Sequence, residues 1–268
     1  MTGAVKVDGK PCNTLFVHLV SQSRNGSNGG RVKRRGPLTV ACLLSLVTAG
    51  LSLPATAAST VTATHFSANE LLLKSEAATE AAGSVRVTGL ETFSNGTTFS
   101  SVLDSSVHES TQIGKGSGQH ELVLVIGSKV FIKGNESYYL NATGKENFKF
   151  ANRWVLVNSS SSLYHYNQTG ELLDSLAKSV FKLTNPKIEG VVKYYGHPAV
   201  KVSGRLPAAS SAPGSPQTIF ISTTAPYLPL GYNLRVASDD EALTAKAKFS
   251  MWGERVSVVA PTSFVTSS

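Results

Sequence analysis

Residues 121–134, ELVLVIGSKVFIKG, constrain the fold more than any other stretch, because they are apolar on neighbouring as well as alternate positions. Leu122, Val123, Leu124, Val125 and Ile126 precede the pair Gly127-Ser128, and Val130, Phe131 and Ile132 follow it. Two short β-rich runs about a Gly-Ser pair read as a hairpin, since glycine supplies the positive φ a tight turn requires. Strand side chains alternate between faces. A hairpin with no polar side therefore needs apolar cover on both faces, and the rest of the chain has to supply it.

The period of apolar residues switches several times downstream of residue 65. Ser67 followed by Glu70 is a capping box. Leu71, Leu72, Ser75, Ala78 and Ala82 repeat with helical spacing, and Gly83 suits the left-handed residue that ends a helix, so a helix is expected over 67–82. Val85 and Val87 then alternate with Arg86 and Thr88, the period of a strand. Strands are expected at 97–104, 106–113, 119–126, 129–133, 137–140 and 153–157, and again at 187–195, 199–204, 218–223, 231–238, 242–251 and 255–259. Between the two sets, Leu172, Leu173, Leu176, Ala177, Val180 and Phe181 share one side of a second helix that Asn185-Pro186 closes. GKGSG at 114–118 lies between strands, where no helix start offers amides to a phosphate, and reads as a hairpin turn. The Pro/Ser/Ala-rich residues 207–217 read as a hairpin connection. In 242–252, Ala245, Ala247, Phe249 and Met251 face one way and Lys246, Lys248 and Ser250 the other, the pattern of an antiparallel sheet wet on one side. Trp252-Gly253 is expected to turn the chain between the last two strands. The sum is an α+β fold: a strongly curved antiparallel half-barrel of about ten strands with two or more helices packed in its concave face.

The formal charge of +8 is unevenly placed. Residues 1–57 hold seven Lys and Arg against one Asp, a net charge of +6, which leaves +2 for the remainder. With the excess in a leader and no aromatic-interleaved basic stripe beyond it, nucleic acid is not an expected partner. The leader has the order of an export signal: basic Lys33 to Arg35, an uncharged apolar run from Leu38 to Leu53, and Ala55-Thr56-Ala57 before a cleavage point at Ala58. Residues 1–57 are expected to pack against nothing, with the folded unit spanning 65–264 and the location extracytoplasmic, secreted or in the cell envelope. Both cysteines, Cys12 and Cys42, fall in the leader. The rest of the chain is then without disulfide or thiolate metal ligand. Cys42 stands near the beginning of the apolar run, where lipid anchoring is disfavoured.

Chemistry is thinly represented. His65, His108, His120, His165 and His197 are scattered without a short metal-ligand spacing, and no G-x-S-x-G elbow supplies a nucleophile. Asp239, Asp240 and Glu241 are successive and diverge as a solvated turn. Asn95, Asn135, Asn141, Asn158 and Asn167 open N-x-S/T sequons that chance explains in a chain so rich in Asn, Ser and Thr. No catalytic residue, metal or cofactor is expected, and the protein reads as a non-enzyme.

Three stretches carry a family likeness. Gly196-His197-Pro198 is a Gly-x-Pro turn inside a strand pair, Thr223-Thr224-Ala225-Pro226 ends a strand in a Pro-rich bend, and Trp252-Gly253-Glu254-Arg255-Val256 is an aromatic-Gly turn before a Val-rich end. With these the chain resembles the actinobacterial envelope lipoproteins of the LppX/LprG type and the related LolA-like carriers, over residues 67–264 and most specifically in the last third. The resemblance implies a half-barrel around helices, enclosing an apolar cavity for acyl chains of lipids or lipidated molecules. The chain departs from the family in lacking a well-placed lipidation cysteine.

Two functions follow as expectations. The first is a non-enzymatic carrier or chaperone of the bacterial cell envelope, a monomer that holds an acyl lipid and touches a membrane surface transiently. Its cavity would be lined by Leu172, Leu176 and Val180 of the second helix and by Ala247, Phe249 and Met251 of a late strand, where two small alanines beside large residues leave space. The second is an envelope binding or scaffold module whose interior is filled by its own side chains.

Overall fold

The computed structural model describes residues 65–143, 149–161, 163, 164, 167, 172–207, 214–237 and 242–267. The leader, His165 and the Asp239-Asp240-Glu241 turn lie outside the described residues. Along the chain the elements are α1 (Ala68–Ala82), β1 (Ser84–Phe93), β2 (Thr98–Ser106), β3 (Glu109–Gly116), β4 (Gln119–Ile126), β5 (Lys129–Gly134), α2 (Glu136–Thr143), β6 (Val155–Leu156), α3 (Leu173–Val180), β7 (Thr184–Tyr194), β8 (His197–Arg205), β9 (Pro216–Ser222), β10 (Pro229–Ala237), β11 (Ala242–Ser250) and β12 (Val265–Thr266). The strands form one sheet of twelve in the order β12-β6-β5-β4-β3-β2-β1-β11-β10-β9-β8-β7. Every pairing is antiparallel except β12 on β6. This is the α+β half-barrel expected from the sequence. The order follows from its hairpins: each tight turn places the next strand beside the last, and β11 returns to β1 to join the two halves into one sheet.

Local chemistry sets α1. The Ser67 hydroxyl accepts from the Glu70 amide, the Glu70 carboxylate accepts from the Ser67 amide at 2.8 Å, and Gly83 ends the helix at φ 75°. Leu71 and Leu72 are buried by packing on the inner face of the sheet, where Val85 and Val87 of β1 meet them. The opening hairpin is β4–β5, with Gly127 at φ 57°. Its two apolar faces find different partners. On the inner side Val123, Val125, Val130 and Ile132 join Tyr138 and Tyr139 of α2 in one buried cluster. On the outer side Phe131 meets Phe264 edge to face, ring centroids 5.4 Å apart, as the C-terminal segment returns across the sheet.

Two of the expected strands are not formed, and β12 was not expected. Residues 137–140, expected as a strand, belong to α2. Asn135 is the cause: its Oδ1 accepts from the Tyr138 amide at 3.0 Å while its Nδ2 donates to the Gly118 carbonyl at 2.7 Å. That caps a helix start, and both tyrosines turn toward the second cluster. Residues 255–259, expected as a strand, are irregular. The Trp252-Gly253 turn forms, with the Gly253 amide donating to Ser84 O, but the chain beyond it has no adjacent strand edge to pair with. It lies across β1–β3 instead, held where the Ser84 hydroxyl donates to Glu254 O and the Val258 amide to the Glu109 carboxylate.

Candidate ligand site on the inner sheet face

The inner face of the sheet carries two buried apolar clusters. The larger gathers α1, α3 and strands β1, β2 and β8–β11, and the smaller gathers β4–β6 and α2. Between them the cross-strand register places a row of small residues: Gly114 opposite Ser101, Ser101 opposite Gly89, and Gly89 opposite Ala247. Ala245 continues the small floor one row on, opposite Glu91. Larger buried side chains of the sheet flank this floor: Tyr232 stands opposite Ala247, Leu234 opposite Ala245 and Phe99 opposite Glu91.

α3 is the more conditional of the two roof helices. Leu173, Leu176, Ala177 and Val180 repeat at i, i+3, i+4 and i+7 and are all buried, so the apolar stripe alone fixes this face. At its N-terminus Leu172 provides no side-chain cap. At its C-terminus the buried Gln217 of β9 donates from Nε2 to the Val180 carbonyl at 2.8 Å, satisfying one orphan acceptor. Eight residues make a helix of about 12 Å, too short to persist without packing. The helix is thus tied to the sheet at one end and by apolar contact elsewhere.

Of the six residues expected to line a cavity, Leu176, Val180, Ala247 and Phe249 meet in the larger cluster. Leu172, one position before the helix, packs on the smaller cluster, so its neighbour pair Leu172-Leu173 bridges the two. Met251 leaves β11 with φ 54° and is 41% exposed. It lines an outer-face cleft of ≈ 280 Å³ with Arg86, Asp104, Glu254 and Arg255.

The sequence reading missed the polar members of the inner face. Glu121 and Gln112 are buried, and Gln112 Nε2 donates to Glu121 Oε1 at 2.9 Å. Gln112 Oε1 is buried without a hydrogen-bond partner. Burial pushes the Glu121 carboxyl up to about 7, against the weaker lowering effect of the Gln112 amide. Burial, followed by the Glu91 carboxylate, also raises the Tyr232 hydroxyl. For Glu121 the available signal was its place two residues before Val123 on β4, because strand period puts both on one face; Gln112 is brought to that face by its register with Leu103 and Val123. Gly114 makes room for this group: a Cβ there would stand 2.6 Å from both Glu121 Oε1 and Phe99 Cζ. Gly114→Ala is therefore expected to destabilise the protein by about 1–3 kcal/mol through overpacking, read as a lower midpoint in urea unfolding with unchanged slope.

Among the described residues no three His, Cys, Asp or Glu side chains gather as metal ligands. No helix among them is long and apolar enough to cross a membrane. No family model matches the chain, and no curated protein matches it. Among solved structures it is similar to LprF from Mycobacterium bovis, with 18% identity, a TM-score of 0.47, and 72% of this chain and 96% of that one covered. It is also similar to the lipoprotein LppX from Mycobacterium tuberculosis, with 17% identity, a TM-score of 0.48, and 71% and 97% covered. A LolA superfamily protein from Nitrosomonas europaea is a further structure to which it is similar, with 8% identity, a TM-score of 0.29, and 72% and 96% covered.

Proposed function

We propose that the protein is a non-enzymatic, extracytoplasmic carrier of acyl lipids or lipidated molecules in a bacterial cell envelope. The acyl chains lie between α1–α3 and the floor formed by Gly89, Ala245 and Ala247. The observation that supports this reading is the pairing of a small-residue floor with a short, N-terminally uncapped roof helix held largely by Leu173, Leu176, Ala177 and Val180. Such a roof exchanges its contacts with the sheet for contacts with an alkyl chain of equal polarity. Each methylene that enters is worth about 0.8 kcal/mol, so a chain of ordinary length offsets the contacts α3 gives up. The carrier works as a monomer and needs no cofactor. The alternative is a scaffold module in which the same side chains close on one another.

The test is organic extraction of the purified, folded protein followed by mass spectrometry. The carrier reading expects an acyl lipid in near-stoichiometric amount, retained through native purification. A well-folded preparation that yields none, and takes up none when offered, supports the scaffold.

A further inference from the structure

The outer face of the sheet is covered unequally. One cross-strand row, Arg86, Asp104, Thr111, Leu124 and Phe131, is occupied: Arg86 donates twice to Asp104, at 2.6 and 2.7 Å, and the C-terminal segment lies against the row at Phe131 and beside it at Glu109. The next two rows are open except at Lys133, which lines a cleft with Arg153, Ser263 and Phe264. One runs Lys248, Thr88, Val102, Ile113, Leu122, Lys133, and the other Lys246, Leu90, Ser100, Lys115, His120. All four lysines are exposed, as are Leu90 at 44% and Ile113 at 48%. Neither row contains a carboxylate or an arginine. At the β11 edge Tyr195, 58% exposed, receives Lys248 Nζ over its ring at 5.1 Å.

We propose that these two rows dock the protein on an anionic lipid bilayer. The charge is complementary: four cations with no acidic partner among the described residues stand around a strip of alkyl side chains on a surface that spans about 24 Å from β11 to β5 at ordinary strand spacing. Lysine is a hydrated point charge on a flexible apolar stem. It suits a fluid layer of phosphate headgroups, which has no fixed geometry for a fork-like donor to match. Leu90, Val102, Ile113 and Leu122 then face the acyl boundary, and Tyr195 takes the amphipathic position of an interfacial aromatic. A nucleic acid makes no use of the alkyl strip. Docking goes beyond the carrier reading and can fail separately from it, because it does not require an acyl chain in the core.

The experiment is flotation of the purified protein with vesicles of phosphatidylcholine, with and without phosphatidylglycerol, at low and high salt. Binding is expected only to the anionic vesicles and is expected to weaken with salt. Replacing Lys115, Lys133, Lys246 and Lys248 together by Gln should weaken it at least about a hundredfold, since each lysine near an anionic surface is worth about fivefold. Leu90→Ser with Ile113→Ser should weaken it further at unchanged salt dependence. Circular dichroism confirms that each variant is folded. Equal binding to neutral vesicles, binding unaffected by the four lysine substitutions, or retention on DNA or an acidic protein without vesicle binding overturns the proposal. Vesicle binding by protein that yields no acyl lipid keeps the docking face and removes the carrier reading.

Discussion

Leu176→Arg is expected to abolish acyl-lipid binding and to cost several kcal/mol of stability. Leu176 is 4% exposed, lies in the middle of the α3 stripe and belongs to the larger cluster. Removing a buried leucine costs about 2–5 kcal/mol, and burying the guanidinium among apolar side chains adds a desolvation penalty. The total approaches the 5–15 kcal/mol that stabilises an ordinary domain, so loss of binding alone would not separate a blocked site from an unfolded one. Ala247→Leu separates them. Should the floor beneath α3 admit an alkyl chain, the added side chain takes up that space at less than about 1 kcal/mol and competes with lipid. Should the core already be closed, overpacking costs about 1–3 kcal/mol. Urea unfolding together with binding of a fluorescent fatty acid reads both quantities.

Glu121→Gln is expected to remove the largest single pH dependence of stability on the inner face. The carboxyl titrates near 7 in the folded chain against 4.5 for an unperturbed glutamate. Between those values the folded protein keeps a proton that the unfolded chain releases, so stability falls as pH rises, and the loss is complete somewhat above pH 7. The span corresponds to about 3 kcal/mol. A glutamine keeps the shape and stays neutral, so the variant should match the wild type near pH 4 and exceed it by up to about 3 kcal/mol at pH 8 or above. Urea unfolding across this range checks it, and an unchanged pH slope in the variant would refute the assignment of the slope to Glu121.

What was legible in the sequence was whatever short-range chemistry determines. Ser67, Glu70 and Gly83 specify α1 within one helix length, and Gly127 with its flanking β-branched runs specifies the β4–β5 hairpin. Leu176, Val180, Ala247 and Phe249 were readable as one interior because two periodic stripes each pointed to an apolar side. The C-terminal segment was not readable: Val256, Val258 and Val259 carry β propensity, yet whether they pair depends on a free strand edge, which only the assembled sheet decides. The same limit hid α2, where the capping atoms of Asn135 also serve the distant Gly118 and His120. Met251 continues the alternation of β11 on paper, but the backbone turns at that residue and sends it outward. Glu121 and Gln112 were visible as inward positions of strands, while their burial depends on partners brought together by register across β3 and β4.

Photo-crosslinking with a diazirine-bearing fatty acid tests the central claim most directly. The probe marks whatever its acyl chain touches, and peptide mapping distinguishes the inner floor from the outer face. Adducts on residues 173–180, 199–206 and 243–249, competed by unlabelled fatty acid and lost in Ala247→Leu, are the result the account predicts. A folded protein that yields no adducts, or adducts confined to the outer strip around Leu90 and Ile113, would contradict it.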